Sequence, residues 1–398
     1  MAITAATLGR TELQGEPGWL SDRRRAALAT YERLPMPSKT DEEWRRTDVS
    51  GFDVSAYSEL EHREGLKLDA GRLPAGVILK PLREAASENR ELVEPRLFSL
   101  IGSDRDRFNA LHAAFFTGGT FLYVPDGVVI EEPILGRHLS HAGGNFVLPH
   151  TLIVAGRGAR FHYLDEYIGD DSEESGYRSG SAEIYLGEGS EVGYVSVQKW
   201  GRNAWHFADQ RAQLQKDSTL RLFDVTLGAR FSKTRVEASL VGPGADAELK
   251  AIYLASGEQF FDFHTLQDHQ VGNTRSDLLF KGALQDVART VYAGLIKIEK
   301  GAARSDAYQA NRNLVLSDHA KATSIPMLEI DNNDVRCTHG ATVGPIDPQH
   351  MFYLRSRGIP EATARRMLVQ GFFGDVLDRI PFEHARTLIE AELETRLG

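Results

Sequence analysis

Cysteine is the scarcest chemically useful residue in this sequence. Among 398 residues there is one, Cys337. A single thiol excludes an internal disulfide and every metal or redox motif built on a Cys-x-x-Cys pair. Metal chemistry in this protein therefore needs donors beyond the thiolates of its own chain.

The sequence also lacks a long apolar run. No segment approaches the roughly 18 consecutive apolar residues of a membrane helix. The first residues, MAITAATLGRTELQGEPGW, do not show the basic-then-apolar order of a secretory signal. We therefore expect a cytoplasmic protein without membrane contact.

Positive charge is in short supply as well. The chain has 46 Lys and Arg against 56 Asp and Glu, a net charge of −10. This balance argues against broad nucleic-acid binding, because phosphate contacts need clustered cations. The densest basic cluster, residues 23–25, lies in a predicted helix, and we interpret it as a solvated helix face.

The usual catalytic motifs are missing too. The dipeptide Gly-Lys does not occur, so there is no Walker-A loop, and nucleotide hydrolysis would have to be supplied by another protein. HExxH, GxSxG and a GxGxxG after a strand are also absent. The sequence thus favours a protein without catalytic activity of its own.

The patterns that are present divide the chain into three regions. Helical spacing of apolar residues dominates residues 1–118, and it returns in residues 346–398. Between them, residues 119–345 consist of short β-branched and aromatic runs punctuated by glycine, which is typical of strands. The sequence predicts a mostly β core between two helical regions.

The core carries an imperfect internal repeat. A small residue follows a tight turn and precedes a strand at Ala159, Ser190, Ser218 and Ala245, with spacings of 31, 28 and 27 residues, and Ala302 aligns 57 residues further on. Many short strands without intervening helices are typical of a sandwich, a barrel or a β-helix. The repeat favours the β-helix, because each coil of a solenoid buries its apolar face against the next.

The richest chemical neighbourhood is DNNDVRCTHGATVG, residues 331–344. If this segment is a strand, Val335, Cys337 and His339 project to one face. A thiolate and an imidazole are half of the four ligands that zinc or iron usually takes, so the other donors would come from elsewhere in the chain or from a second subunit. The alternative is a small buried cysteine beside a packed, hydrogen-bonded histidine.

Other candidate residues are less suggestive. We expect His112, in a predicted helix, to pack rather than to ligate. His264 and His269 are separated by an odd number of residues, which places them on opposite faces of a regular strand. Asp165 and Glu166 are adjacent, so they also face opposite ways and do not form the carboxylate pair that a carbohydrate-active β-helix would need.

An apolar stripe marks the predicted C-terminal helix. Met367, Leu368, Phe372 and Val376 lie on one side of EATARRMLVQGFFGDVLDRI, which follows Pro360. Such a stripe must be buried, either on the chain's own core or on a partner, and the two possibilities are compatible.

The order of several motifs resembles the SufB/SufD family, and within it the SufD-type branch. Near the start, PMPSKTDEEWRRTD (residues 35–48) is similar to the family's N-terminal signature. In the core, LEI followed by HGAT, and then FYLRSRGIPEATARRMLVQGF (residues 352–372), are in the family's order and spacing. The resemblance covers most of the chain. SufB-type chains carry further cysteines, which this sequence lacks.

The resemblance implies a right-handed parallel β-helix flanked by N-terminal and C-terminal α-helical regions. It also implies a scaffold subunit for iron–sulfur cluster assembly that pairs with SufB and binds the ATPase SufC, with a homodimer as the form of the isolated chain. Binding of SufC is expected on the C-terminal helices, at Met367, Leu368, Phe372, Phe373 and Val376. We expect deletion of residues 346–398 to abolish this binding and to leave the β-helix folded.

For the site, the resemblance implies that His339, in the HGAT motif, lies at the interface with SufB and takes part in iron acquisition and assembly of the nascent cluster. Cys337 shares the motif and is the weaker candidate. The only cofactors implied are a transient cluster or iron at the interface and, as in some family complexes, a reduced flavin; none is expected in the isolated chain. Two other readings stay open: a β-helical binding module, and a carbohydrate-active enzyme.

Overall fold

The computed structural model describes residues 16–57, 59–60, 65–140, 145–171 and 175–397. It is mostly β, and its strands wind into a solenoid of about seven turns with helices at both termini. The predicted fold class is thereby confirmed. The α-helices are α1 (Gly18–Arg33), α2 (Leu82–Glu88), α3 (Arg90–Val93), α4 (Arg107–Phe115), α5 (Pro348–Ser356), α6 (Glu361–Leu377) and α7 (Glu383–Leu397), and two short 3₁₀ helices span Glu42–Trp44 and Val54–Ala56.

The strands alternate between two sheets. They are β1 (Glu59–Leu60), β2 (Lys67–Asp69), β3 (Ile78–Pro81), β4 (Thr120–Val124), β5 (Ile134–Ser140), β6 (Asn145–Val147), β7 (His150–Ala155), β8 (Arg160–Gly169), β9 (Gly176–Arg178), β10 (Ser181–Leu186), β11 (Glu191–Lys199), β12 (Ala204–Leu214), β13 (Thr219–Thr226), β14 (Phe231–Leu240), β15 (Asp246–Ala255), β16 (Phe260–His269), β17 (Arg275–Leu284), β18 (Arg289–Ile298), β19 (Asp306–Val315), β20 (Lys321–Ile330) and β21 (Arg336–Gly344).

Each coil contributes one strand to each sheet. The first sheet runs in the order β3-β4-β7-β10-β12-β14-β16-β18-β20, with β1, β6 and β9 beside it, and the second runs β2-β5-β8-β11-β13-β15-β17-β19-β21. Neighbouring strands are parallel, except that β3 and β2 pair antiparallel with β4 and β5. The solenoid therefore ends in short reversed strands at one end and in long parallel strands at the other.

In the structure, the repeated positions of the sequence stack on one another from coil to coil and form a column. Ala159, Ser190, Ser218 and Ala245 each precede a strand of the second sheet, and the strands pair in the register that the repeat predicts. The next members are Thr274 and Ser305, not Ala302, because the turn after β18 holds three more residues than the alignment allowed. Serine hydroxyls in this column donate to the carbonyl three residues earlier, which closes each turn.

Small and aliphatic side chains from both sheets fill the space between them. In β15, Ala247, Leu249 and Ala251 alternate along the strand and point into this core. On the outer face of the same strand, Lys250 is also buried, since the C-terminal helices cover it there and Asp277 pairs with it at 2.9 Å.

The N-terminal helices cover the outer face of the first sheet. Our interpretation of residues 23–25 as a solvated face is wrong for Arg24, which is fully buried. Its guanidinium pairs with Glu16 at 3.0 Å and donates to the carbonyls of Ala114 and Phe116. Burial of this arginine is possible because carboxylate and carbonyl oxygens satisfy its donors.

A buried ionic cluster fixes the 35–48 segment to the same face. Arg235, on β14, lies 2.9 Å from Glu43 and also pairs with Asp106 and Asp209. Trp44 stacks on a helix residue of α4, Phe108, at a ring separation of 5.2 Å. We refer to these contacts as the N-terminal lock.

The C-terminal helices α6 and α7 cover the outer face of the second sheet. Their apolar side chains form one cluster with outward residues of six successive strands, among them Val195, Phe223 and Ile252. Of the described helices, none is both long enough and apolar enough to cross a bilayer.

Candidate functional site

The open end of the solenoid carries the Cys–His motif. Strands β20 and β21 are the last members of their sheets. Within the described part of the chain, each of them is paired with another strand along one edge and has its other edge open. Along β21, Cys337 is opposite Ala307 and His339 is opposite Gln309 of β19. The two donors are two residues apart in a regular strand, and so they share a face, as predicted.

Cys337 lies at the rim of the core. It is half-buried and packs against a small cluster that includes Ile296, Ile298 and Ala307. Burial raises the pKa of the thiol, and the nearby carboxylate of Asp306 adds to the effect. In the isolated chain this cysteine is therefore a protonated thiol at neutral pH and a poor nucleophile or metal ligand.

His339 is exposed, in contrast to the other histidines discussed below. An accessible imidazole can ligate iron or exchange a proton with a neighbouring group. Within the described residues, no group of three or more His, Cys, Asp or Glu side chains is placed to hold a metal ion. The structure thus places two candidate metal donors on one face, and the described part of the chain offers no third donor beside them.

The predicted SufC-binding residues separate into two sets. Phe373 and Val376 are buried in the cluster against the second sheet, whereas Met367 is exposed and Leu368 and Phe372 are partly buried. The backbone carbonyl of Phe372 accepts a hydrogen bond of 2.6 Å from Lys281 of β17. The stripe is thus shared between the chain's own core and solvent.

The sequence reasoning did not single out two further residues on the open side. Phe352 and Tyr353, on α5, are exposed to 74% and 57%. They begin the FYLRSRGI motif, and two adjacent aromatics followed by charged residues were the available signal. Because these two apolar side chains are adjacent and strongly exposed, they make this part of α5 a candidate contact surface.

The other histidines have structural surroundings. His112 is buried, as expected, and its Nε2 lies 3.1 Å from Nδ1 of His150, whose Nε2 is 3.0 Å from a carboxylate oxygen of Glu183. Burial lowers the pKa of His112 well below its usual value. His264 faces outward to Asp262, while His269 points inward to two hydroxyls of β17 and its preceding turn, so the predicted opposite faces are confirmed.

The adjacent carboxylates also point in opposite directions. Asp165 is fully buried and lies 2.7 Å from His138, while Glu166 contacts Arg137 and Lys199 on the outer face. No substrate can reach Asp165 without unfolding the coil. This pair therefore gives no support to glycoside hydrolysis.

Comparisons with known proteins agree with this arrangement. A family model described as "SUF system FeS cluster assembly, SufBD core domain" matches residues 138–372, and one described as "SufBD protein N-terminal region" matches residues 56–135. The first match contains most of the solenoid, the Cys–His strand and most of α6.

Relatives match over nearly the whole length. The iron–sulfur cluster assembly protein SufD of Bacillus subtilis is 28% identical, over 97% of this chain and 96% of the relative. Iron–sulfur cluster assembly SufBD family proteins of Staphylococcus epidermidis and Staphylococcus aureus are 26% and 25% identical, over 98% of this chain and 92% of theirs. The chain belongs to the SufB/SufD family of the SUF system for iron–sulfur cluster assembly.

Proposed function

We propose that this chain is the SufD-type scaffold subunit of a cluster-assembly complex, paired with SufB at the open end of its solenoid and bound to the ATPase SufC through its C-terminal helices. The observation that carries the proposal is the open end itself. There, two long parallel edge strands, exposed apolar residues and the Cys–His motif lie together.

The edge strands favour a partner that adds strands. β20 has ten residues and β21 has nine, and the outer edges of both present backbone donors and acceptors. Natural proteins usually shorten, cover or charge such edges because they pair with other chains. Here Leu328, Ile330 and Val343 are exposed, with Val343 at 48%. A second solenoid of the same family presents the matching geometry.

The same pairing would complete the chemistry. Cys337 and His339 supply two donors, and tetrahedral iron or zinc sites take four. SufB would supply the rest, with iron or a nascent cluster as cargo and not as a resident cofactor. His339, being exposed, is the residue we propose to contact that cargo; Cys337, protonated and half-buried, would contribute only after its surroundings change.

SufC would bind the exposed side of the C-terminal helices. Met367 is exposed and Leu368 is partly buried on this side, and Phe352 and Tyr353 extend the surface on α5. Phe372 is at its border, since it packs partly against the second sheet with Lys281 over its ring. Phe373 and Val376 would act indirectly, by holding α6 on the second sheet.

Several further expectations belong to this proposal. The chain is a scaffold without catalysis of its own, nucleotide hydrolysis takes place in SufC, and the complex is cytoplasmic. The division at residues 118 and 345 separates an N-terminal region, the solenoid and the SufC-binding helices. A reduced flavin, where the complex holds one, is not a ligand that the isolated chain needs.

The test is co-purification of the full-length chain with co-expressed SufB and SufC, followed by anaerobic absorbance spectra. We expect a three-component complex with iron–sulfur absorption. His339→Ala should keep the complex and lose most of that absorption, whereas Thr338→Ala, at an exposed neighbour on the opposite face, should keep both. Full absorption in the His339→Ala complex would remove this residue from the mechanism.

Two substitutions separate the surfaces. Val343→Asp should release SufB and retain SufC, while Met367→Asp should release SufC and retain SufB. If both variants bind both proteins, the surfaces are wrongly placed. If the wild-type chain binds neither protein, the binding-module reading replaces the scaffold.

A further inference from the structure

The 35–48 segment has two faces, and the N-terminal lock uses only one of them. Glu43, Trp44 and Thr47 point inward, whereas Arg45 and Arg46 are exposed. The exposed face lines a groove of about 970 Å³, whose floor is the outer face of the first sheet. Apart from the first residues of β20, this groove lies outside the surfaces assigned above.

A single row of side chains crosses the floor of the groove. Strand register places Trp205, Phe231, Phe260, Arg289 and Lys321 opposite one another on five successive strands of the first sheet. Ring centroids are 4.7 Å apart for the first aromatic pair and 5.5 Å apart for the second. The row thus passes from an aromatic ladder to two cations on neighbouring strands, about 5 Å apart.

The position of Phe260 within this row matters most. One side of its ring is stacked on Phe231, with an interplanar angle of 21°. On the other side the next strand offers Arg289. Phe231 is the one described ring that stacks on Phe260, and Phe260 itself lines the groove. A planar group placed there would stack on Phe260 with Arg289 and Lys321 beside it.

Charge in the groove is opposite in sign to that of the chain. Six cationic and three acidic side chains line it, against a net charge of −10 for the whole sequence. Lys39 is paired with Asp48 at 3.2 Å. The remaining five cations form no ion pair with any residue that the structure describes; they are Arg45, Arg46, Arg230, Arg289 and Lys321.

We propose that this groove binds a purine nucleotide, with its planar base on Phe260 and its phosphates between Arg289, Lys321 and the arginines of the 35–48 segment. Guanidinium groups bind phosphate oxygens through charge-assisted, often bidentate, hydrogen bonds. The groove volume lies at the upper end of the roughly 300–1,000 Å³ that is usual for small-ligand sites.

The aromatic floor decides against an acidic polypeptide as the ligand. A carboxylate-rich peptide would use the cations and leave the face of Phe260 unused, whereas a nucleotide uses both. The groove holds no loop that could hydrolyse a phosphate anhydride, so the assigned role is binding alone. The groove meets the open end only at the start of β20, which includes Lys321, and it contains neither the Cys–His motif nor residues of α5 and α6. Binding by the isolated chain therefore tests this proposal separately from the scaffold function.

The test is titration calorimetry of the full-length chain with ADP and with GDP, beside adenosine, pyrophosphate and a glutamate-rich peptide. We expect saturable binding of at least one nucleotide, with adenosine and pyrophosphate each at least tenfold weaker. The nucleotide that binds identifies adenine or guanine as the base. Fluorescence quenching that is lost in Trp205→Phe, in a chain with four tryptophans, places the nucleotide in the groove.

Matched variants localise the binding. Arg289→Glu combined with Lys321→Glu should weaken nucleotide binding about a hundredfold, and Phe260→Leu about tenfold. Arg157→Glu is the control, since Arg157 is 72% exposed in a turn outside the groove and its loss should leave affinity unchanged. Unfolding curves of the charge-reversed variant should match those of the wild type, because both positions are exposed.

Three outcomes would overturn the proposal. One is the absence of saturable binding by either nucleotide. Another is equal affinity in the wild type and in the charge-reversed variant, which would place the ligand elsewhere. The third is binding of the glutamate-rich peptide without either nucleotide, which would make the groove an acidic-peptide site.

Discussion

The two ends of the solenoid differ in how their terminal strands are arranged, and so in whether another strand can pair with them. At the first end, β2 and β3 have three and four residues and run antiparallel to the stack, which stops further coils from adding. At the other end, β20 and β21 have ten and nine residues, run parallel and remain uncovered in the described chain. The first end is thus closed to further strands, while the open end keeps two long strand edges with which a partner can pair.

Arg235, on β14 beneath the N-terminal lock, and Arg336, at the open end, compare a covered part of the solenoid with the uncovered end. Arg235 is buried among three carboxylates, whereas Arg336, at the open end, is 81% exposed and lies 3.6 Å from Asp306. We expect Arg235→Met to lower the free energy of unfolding by about 4 kcal/mol, because it strands buried carboxylates, and Arg336→Met by less than about 0.5 kcal/mol. Urea denaturation of both variants measures the difference; equal losses would contradict the distinction.

The C-terminal helices allow the same comparison within one stripe. Phe373→Ala should cost about 3 kcal/mol, because it opens a cavity between α6 and the second sheet. Met367→Ala, on the exposed side, should cost less than about 0.5 kcal/mol. Thermal unfolding monitors both, and a large loss in the Met367 variant would mean that this side chain is part of the core.

The pH dependence of stability tests the N-terminal lock. Burial alone would raise the pKa of Glu43, but Arg235 and Arg105 outweigh it and lower the pKa to about 2. A carboxyl whose pKa is lower in the folded than in the unfolded protein stabilises the fold at pH values above its unfolded-state pKa of about 4.5. This contribution is lost as the pH falls towards the folded-state pKa of about 2. Since the side chain is 40% exposed, solvent screening limits the contribution to about 1 kcal/mol.

Glu43→Gln should therefore be less stable than the wild type by about 1 kcal/mol at pH 7, with a smaller difference at pH 3. Glu42→Gln is the control, since Glu42 is exposed and has no ion pair with any described residue. Urea unfolding at the two pH values decides the matter. A difference that is the same at both values would rule out the electrostatic explanation.

The smallest effect concerns the open end. Asp306 contributes to the raised pKa of Cys337, after burial, so Asp306→Asn should lower that pKa and speed alkylation by iodoacetamide a few-fold at pH 8. The chain has no other thiol to confuse the measurement. Asp334→Asn, which removes the same charge from the turn before β21, should leave the rate unchanged. Identical rates in all three proteins would leave burial as the sole cause.

Local pattern was enough to predict the solenoid and the face that the Cys–His pair shares. The features that predicted them act within one coil and can therefore be recognised in the sequence. They are turn glycines, small residues before strands and the alternation of apolar and polar residues along a strand. The register of Ala302 was wrong because turn length varies from coil to coil and leaves no periodic signal. Arg24 was wrong for a different reason: its burial depends on Glu16 and on carbonyls about 90 residues away.

The candidate site was predictable only in part. The resemblance indicated His339 and the C-terminal stripe, but no spacing in the sequence shows that Phe373 and Val376 pack on the chain's own strands. Because these helices cover a large apolar surface of the second sheet, removal of residues 346–398 would expose it. The structure therefore argues against our expectation that the truncated β-helix stays folded, and point substitutions are the better test.

The column of small residues before the second-sheet strands has a practical consequence for labelling. Column spacings of 31, 28, 27, 29 and 31 residues show that coils differ in length while the stack stays in register. The turns between the strands take up all of this difference in coil length. At Gly301, in the turn after β18, an added side chain would meet open space. A fluorophore or short tag inserted there would sit beside the open end and report on docking while the coils remain paired.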